Sequence, residues 1–179
     1  SGWAEQNPDV WWESLKGAIE QIRNQVDLKE IQSIGISYQM HGLVAVDKNM
    51  KPVRPAIIWC DSRAVDIGDD AFNSIGHEHS LSHLLNSPGN FTASKLRWVK
   101  ENEPETYSKI SKFMLPGDYL ALKLSGEATT TNGGLSEGIF WDYQAQAVSE
   151  DVINHYKFDK TLLPAIVPNI GLQGEVSAM

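Results

Sequence analysis

The chain has a single cysteine, Cys60, in 179 residues. No internal disulfide can form, and a reducing compartment is expected, which predicts a cytoplasmic location. Positive charge is also scarce: 15 Lys and Arg stand against 23 Asp and Glu, a formal charge of −8 at pH 7. That sign argues against a nucleic-acid backbone or an anionic membrane as the main partner. No apolar run approaches the ~20 residues of a membrane span, and no basic-plus-apolar signal segment is visible. Repeats and low-complexity tracts are missing. No Gly-x-x-x-x-Gly-Lys-Ser/Thr loop or Gly-x-Gly-x-x-Gly turn is present, so the sequence shows no cradle for nucleotide phosphates. No Ser-His-Asp or Cys-His set is marked locally, and Cys60 lies between Trp59 and Asp61, which does not favour a thiolate.

What is present is ordinary for a soluble globular protein: 41% hydrophobic and 21% charged residues. The stretch that organises the rest is Ile34-Gly-Ile-Ser-Tyr-Gln-Met-His-Gly42. The apolar run Ile31 to Ile36 predicts a buried strand, which breaks into Tyr38, Gln39 and His41. In α/β proteins, groups at the carboxyl end of a strand line the crevice where ligands bind. The Gln39 amide and the His41 ring both donate and accept, which suits a hydroxyl-rich ligand. Taken alone, the stretch also fits a plain strand end with a turn.

Asn7-Pro8-Asp9 predicts a helix start, with Trp11, Leu15, Ala18, Ile19, Ile22 and Val26 at helical spacing on a buried face. Leu43 to Val46 and Arg54 to Trp59, around the polar turn 47–50, predict a hairpin. Asp61 is placed to cap a helix running to about Ile75. His77-Glu-His-Ser-Leu-Ser-His83 puts His79 and His83 on one helix face. It is not His-Glu-x-x-His, because Leu81 stands in the second histidine's place, so no metal site is expected. Helices are further predicted over 91–101, 105–112, 119–124 and from Ser149 to about Phe158. Residues 113–118 read as a brief strand and turn, 139–142 as a short strand, and 129–134 as a polar loop. Strands alternating with helices early and helices dominating later predict an α/β class with an added helical part. An opening on Ser1 and a Pro-rich tail without a closing element are expected of a piece of a longer protein.

Several colinear stretches resemble the FGGY carbohydrate kinases. They are Gln39-Met-His-Gly42, Arg54-Pro-Ala-Ile-Ile-Trp-Cys-Asp-Ser-Arg63, Phe91-Thr-Ala-Ser-Lys-Leu-Arg-Trp-Val99, Glu103-Pro-Glu105, Leu115-Pro-Gly-Asp-Tyr-Leu120 and Ser125-Gly-Glu127. The Gln-Met-His-Gly element is similar to that of xylulokinases.

The resemblance implies a ribonuclease H-like, actin-like ATPase fold. This chain would span most of the N-terminal, sugar-binding domain over 1–179, without its first strands and without the C-terminal nucleotide domain. It implies an ATP-dependent kinase that moves the γ-phosphate to O5 of D-xylulose, with ATP and Mg2+ held mainly by the other domain and no cofactor on this chain by itself. Kinases for ribulose, gluconate or glycerol share the scaffold, and a non-catalytic polyol-binding module or an association domain are the alternatives. The implied partner is a small-molecule sugar, and a homodimer is compatible with it. Substrate-binding positions carried over are Gln39, Met40, His41, Asp61, Arg63 and Asn90; Asp61 and Arg63 also fit a structural brace. Lys95 and Trp98 match the family's helix pattern, Trp98 as core. The resemblance puts the catalytic aspartate after Met179, so no catalytic residue and no metal ligand are expected in this chain, and the chain alone is expected to be inactive. The family usually has asparagine at the position of Cys60, commonly glycine at Asn90, and often aspartate near Gly134. Each of these departures changes a hydrogen-bonding group near the polyol.

Overall fold

The computed structural model describes residues 2–177. Its centre is a small antiparallel ribbon. Strand β1 (Glu5–Gln6) pairs with β3 (Ala56–Ile57), and β2 (Val44–Val46) pairs with β4 (Lys112–Met114), with Val44 opposite Met114. A bridge between Leu43 and Ile57 joins the two pairs, so the predicted hairpin is present.

Side chains alternate across this ribbon. Leu43, Ala45, Ile57 and Phe113 enter one core cluster, and Val44, Val46, Ala56 and Met114 enter the other. Both faces are covered, which is why the apolar run 43–46 has no polar alternation and is 0–1% exposed throughout. The first face is covered by α2 (Val65–Ile75), α4 (Thr92–Asn102), α7 (Asn132–Glu137) and α8 (Glu150–Tyr156). There Phe140 stacks on Phe113 with ring centroids 4.5 Å apart. The second face is covered by α6 (Pro116–Ser125), with Trp11 of α1 (Pro8–Arg23) packed on it. Tyr119 of α6 donates to Asp9 of α1 at 2.8 Å, tying the helices together.

Asn7 caps α1 by accepting from Asp9 N–H, and Pro8 sits in the first turn, as its sequence predicts. Ser149 caps α8 in the same way, accepting from Val152 N–H. The remaining elements are α3 (His77–His83), α5 (Pro104–Tyr107), β6 (Trp141–Asp142) paired with β7 (Ala147–Val148), and β5 (Thr129–Thr131) paired in parallel with β8 (Ala165–Val167).

Several expectations are corrected. Residues 31–36 form no strand; Ile31 is 49% and Ile34 51% exposed. A strand needs a ladder partner, and among the described residues none lies beside this run. Of the predicted apolar face of α1, Trp11, Leu15 and Ile19 are half-buried, Ala18 and Ile22 are exposed, and Val26, also exposed, lies beyond the helix; only Pro8 is fully inside. Asp61 does not cap α2. Its N-cap is Ala64 without a side-chain bond, because the Asp61 carboxylate is engaged by Arg63. Residues 129–134 are not a loop but β5 running into α7, and α5 stops at Tyr107. Within the Pro-rich stretch residues Ala165–Val167 form β8, no helix or strand follows it among the described residues, and Ser177 N–H donates to the Leu124 carbonyl at 2.9 Å. The position after Met179 predicted for a catalytic aspartate lies outside the described residues.

Candidate functional site

The site is built around the turn His41–Gly42, where the extended segment 31–40 enters β2. His41 has φ 58°, the left-handed region that non-glycine residues rarely occupy. Two side chains hold it there. Glu137, at the end of α7, accepts from His41 N–H at 2.8 Å. Lys95, in the first turns of α4, donates its ammonium to the His41 carbonyl at 2.8 Å. Gly42 is required beside them, since a Cβ there would lie 2.7 Å from Cγ of Pro116.

The His41 ring stacks edge-on against Phe91, centroids 4.3 Å apart. Its Nδ1 lies 3.3 Å from the Glu137 backbone oxygen. A carbonyl can only accept, so Nδ1 carries the hydrogen and Nε2 is left as an acceptor. Burial lowers the ring's pKa below its ordinary value and outweighs the Glu137 carboxylate 4.0 Å away, so the ring is neutral at pH 7.

Tyr38 donates to the other Glu137 oxygen at 3.2 Å. Burial, then the Glu137 charge, raises its phenol, which stays a donor. Its ring occupies the space above Gly117, where a Cβ would come within 2.2 Å. Lys95 is fully buried, and burial lowers its ammonium to about 8 against the opposing pull of Asp61. Gln39 donates to Gln6 at 3.2 Å, and Met40 is 54% exposed on the outer side of the turn. Two residues beyond the Leu43–Ile57 bridge on either strand stand His41 and Trp59, and Trp59 is 58% exposed.

Residues 1–178 match the N-terminal domain of the FGGY family of carbohydrate kinases over their whole span. The chain belongs to that family. A xylulose kinase of Staphylococcus xylosus is 31% identical over 178 residues, covering 99% of this chain and 37% of the relative. One of Lactococcus lactis is 33% identical over 180 residues, covering 99% and 36%. The crystal structure of a "xyloylose kinase" from Brucella ovis superposes with a TM-score of 0.91 at 29% identity, covering 99% of this chain and 38% of that one. The chain thus spans little more than a third of the length of the relatives it matches. The FGGY membership carries the actin-like ATPase fold with it.

In this FGGY domain, Asp61 and Arg63 stand behind the turn rather than at the surface. The Asp61 carboxylate is 0% exposed and accepts from Arg63 at 2.7 and 2.9 Å and from Ala4 N–H. Arg63 lies against the edge-packed indoles of Trp3 and Trp98, 4.1 and 4.7 Å from their centroids, and reaches Glu5 at 2.8 Å. Glu5 also binds Arg54 at 2.6 Å. Burial raises the Asp61 carboxyl, but the Arg63 and Ala4 hydrogen bonds outweigh it, and its pKa is lowered. Asn90 donates to the Asp61 backbone oxygen, while its own Oδ1 is buried without a protein partner.

The structure therefore gathers His41, Lys95, Glu137, Tyr38 and Phe91 at one turn. Gln39 and Met40 lie on that turn's outer side, and Asp61, Arg63 and Asn90 lie in the layer beneath. Glu137 was not found from sequence. It is 96 residues from His41 and belongs to no local motif. Behind the site, Thr92, Asp118, Thr130 and Gly138 line a cavity of about 10 Å³ with room for at most one water. Burial pushes the Asp118 carboxyl there up to about 6.

His79 and His83 stack 3.9 Å apart, paired to Asp151 and Asp142 at 2.8 and 2.9 Å. Among the described residues no three His, Cys, Asp or Glu converge as metal ligands. Among the described residues no helix is long and apolar enough to cross a membrane.

Proposed function

We propose that this chain is the sugar-binding part of an ATP-dependent xylulose kinase, which forms D-xylulose 5-phosphate. The observation that carries this reading is the 31% identity to a xylulose kinase over 99% of the chain, in colinear order. The His41 turn supports it chemically. A neutral imidazole with a free Nε2 accepts from one sugar hydroxyl, and the exposed Trp59 offers an apolar face for the sugar's C–H edge. Gln39 and Met40 line the outer side of the same turn, and Asn90 offers an unpaired amide oxygen beneath it. In this reading Asp61 and Arg63 act as the brace that keeps the β3–α2 link, and so Trp59, in place.

Binding and orientation are what these residues contribute. The hydroxyl's proton goes to a carboxylate outside this chain, and ATP with Mg2+ binds to groups outside it too. Substrate and product are soluble small molecules, which fits a cytoplasmic enzyme with a free cysteine. The test uses the full-length protein with ATP, Mg2+ and a panel of D-xylulose, D-ribulose, D-gluconate and glycerol, following ADP. The reading expects the highest kcat/KM for D-xylulose. Turnover led by another polyol would replace the substrate, and absence of turnover with every member would favour a binding module.

A further inference from the structure

The His41 peptide is gripped by opposite charges from different helices. The Glu137 carboxylate takes its N–H and the Lys95 ammonium takes its C=O, each at 2.8 Å. We propose that Glu137 and Lys95 are positioning residues, a clamp that holds His41 in its left-handed conformation and presents Nε2 as a hydrogen-bond acceptor to a ligand hydroxyl. The inference deepens the sugar-kinase reading and rests on it for the ligand's identity.

The chemistry of each group fits its place. A carboxylate can only accept and an ammonium can only donate, so they match the two ends of one peptide residue and cannot exchange places. Charge-assisted bonds are the strong class, and a left-handed histidine persists only where its surroundings over-determine it. Lys95 is 0% exposed, and its one protein acceptor is the His41 carbonyl. Burying an ammonium costs more desolvation than one neutral acceptor returns, so Lys95 is held inside at a cost in stability. Glu137 completes the grip through its backbone, whose oxygen 3.3 Å from Nδ1 sets the ring tautomer. Its second carboxylate oxygen is occupied by Tyr38, so the carboxylate is anchored on both sides. Movement of α7 or α4 would reach the ligand through this one residue.

The test pairs kinetics with the nitrogen-15 spectrum of His41 in the full-length protein without sugar. The wild type is expected to show the Nδ1–H tautomer, whereas a free imidazole favours Nε2–H. Glu137→Ala and Lys95→Met are expected to shift His41 toward the free pattern. They should also raise KM for D-xylulose about tenfold, with KM for ATP within about twofold. Glu137→Gln keeps an acceptor oxygen and is expected to restore most of the sugar affinity. Should Glu137→Ala fail to fold, Glu137→Gln and Lys95→Met carry the comparison, with melting curves confirming the folded state. An Nε2–H tautomer in the wild type overturns the clamp. So does an unchanged His41 spectrum and sugar KM in folded Lys95→Met. A wild type with the Nδ1–H tautomer that turns over no sugar supports the clamp and removes the sugar-kinase reading instead.

Discussion

Two apolar runs lie a few residues apart and have opposite fates. Leu43 to Val46 is 0–1% exposed and carries a ladder on both sides. Ile31 to Ile36 carries three isoleucines, yet Ile31 and Ile34 are about half exposed and join no ladder among the described residues. Hydrophobicity alone does not make a strand. The backbone needs a partner for its N–H and C=O groups, and the side chains need a helix to cover them. Residues 43–46 have β4, residues 52–57, α4 and α6; residues 31–36 join no ladder among the described residues.

The largest effect expected from this contrast is in stability. Phe140→Ala, in the covered layer, should cost about 3–5 kcal/mol, while Ile34→Ala should stay within about 0.5 kcal/mol. Denaturant unfolding of both variants checks it, and equal losses would erase the distinction. Hydrogen exchange sharpens the same point. Amides of 43–46 should exchange far more slowly than those of 31–36.

Next in size is the brace beneath the site. Arg63→Ala leaves the Asp61 carboxylate buried without its partner and should cost about 3 kcal/mol. Asp61 has a folded pKa below its unfolded value near 3.9, so its stabilisation is present above about pH 4 and is lost as pH falls through the folded value. Acid titration of the melting temperature should therefore fall more steeply for the wild type than for Asp61→Asn with Arg63→Met. Parallel curves would show that the pair carries no such linkage.

The site at the boundary between the two regions gives smaller, functional effects. His41→Ala in the full-length protein should lower kcat/KM for xylulose by about 1–3 kcal/mol, with KM for ATP little changed. Protonation of His41 removes its Nε2 acceptor. Its pKa is lowered by burial below the ordinary value of about 6.5, so KM for the sugar should be flat above that value and rise only below it. A lost melt with an unchanged sugar KM in His41→Ala would defeat the assignment. The smallest expected change is Trp59→Ala. It should raise the sugar KM about threefold through a lost aromatic face, with no shift in melting because Trp59 is 58% exposed. A drop in melting temperature with unchanged KM would make Trp59 structural.

Much of the architecture was legible because it depends on neighbours in sequence. Asn7 and Ser149 as helix caps, Pro8 in a first turn and the hairpin at 43–59 follow from local chemistry. The Gln39-Met-His-Gly42 element was found by its residue types, and the FGGY family by the order of such elements along the chain. Asp61 was misread as a cap because an aspartate at a helix start fits that role locally, whereas its carboxylate is taken by Arg63 and by the N–H of Ala4, 57 residues away.

The sequence by itself determined most of the helices, though not α7 or the end of α5, and it determined the family and which turn carries the polar groups, since each rests on contacts within a few residues or on a colinear series of motifs. Only the tertiary structure decided that His41 is neutral, with Nδ1 as donor and Nε2 free. It also decided that Glu137 and Lys95 hold its peptide, and that residues 31–36 stay outside any ladder. Those outcomes depend on burial and on partners 96 and 54 residues away, and no local pattern encodes distances in space.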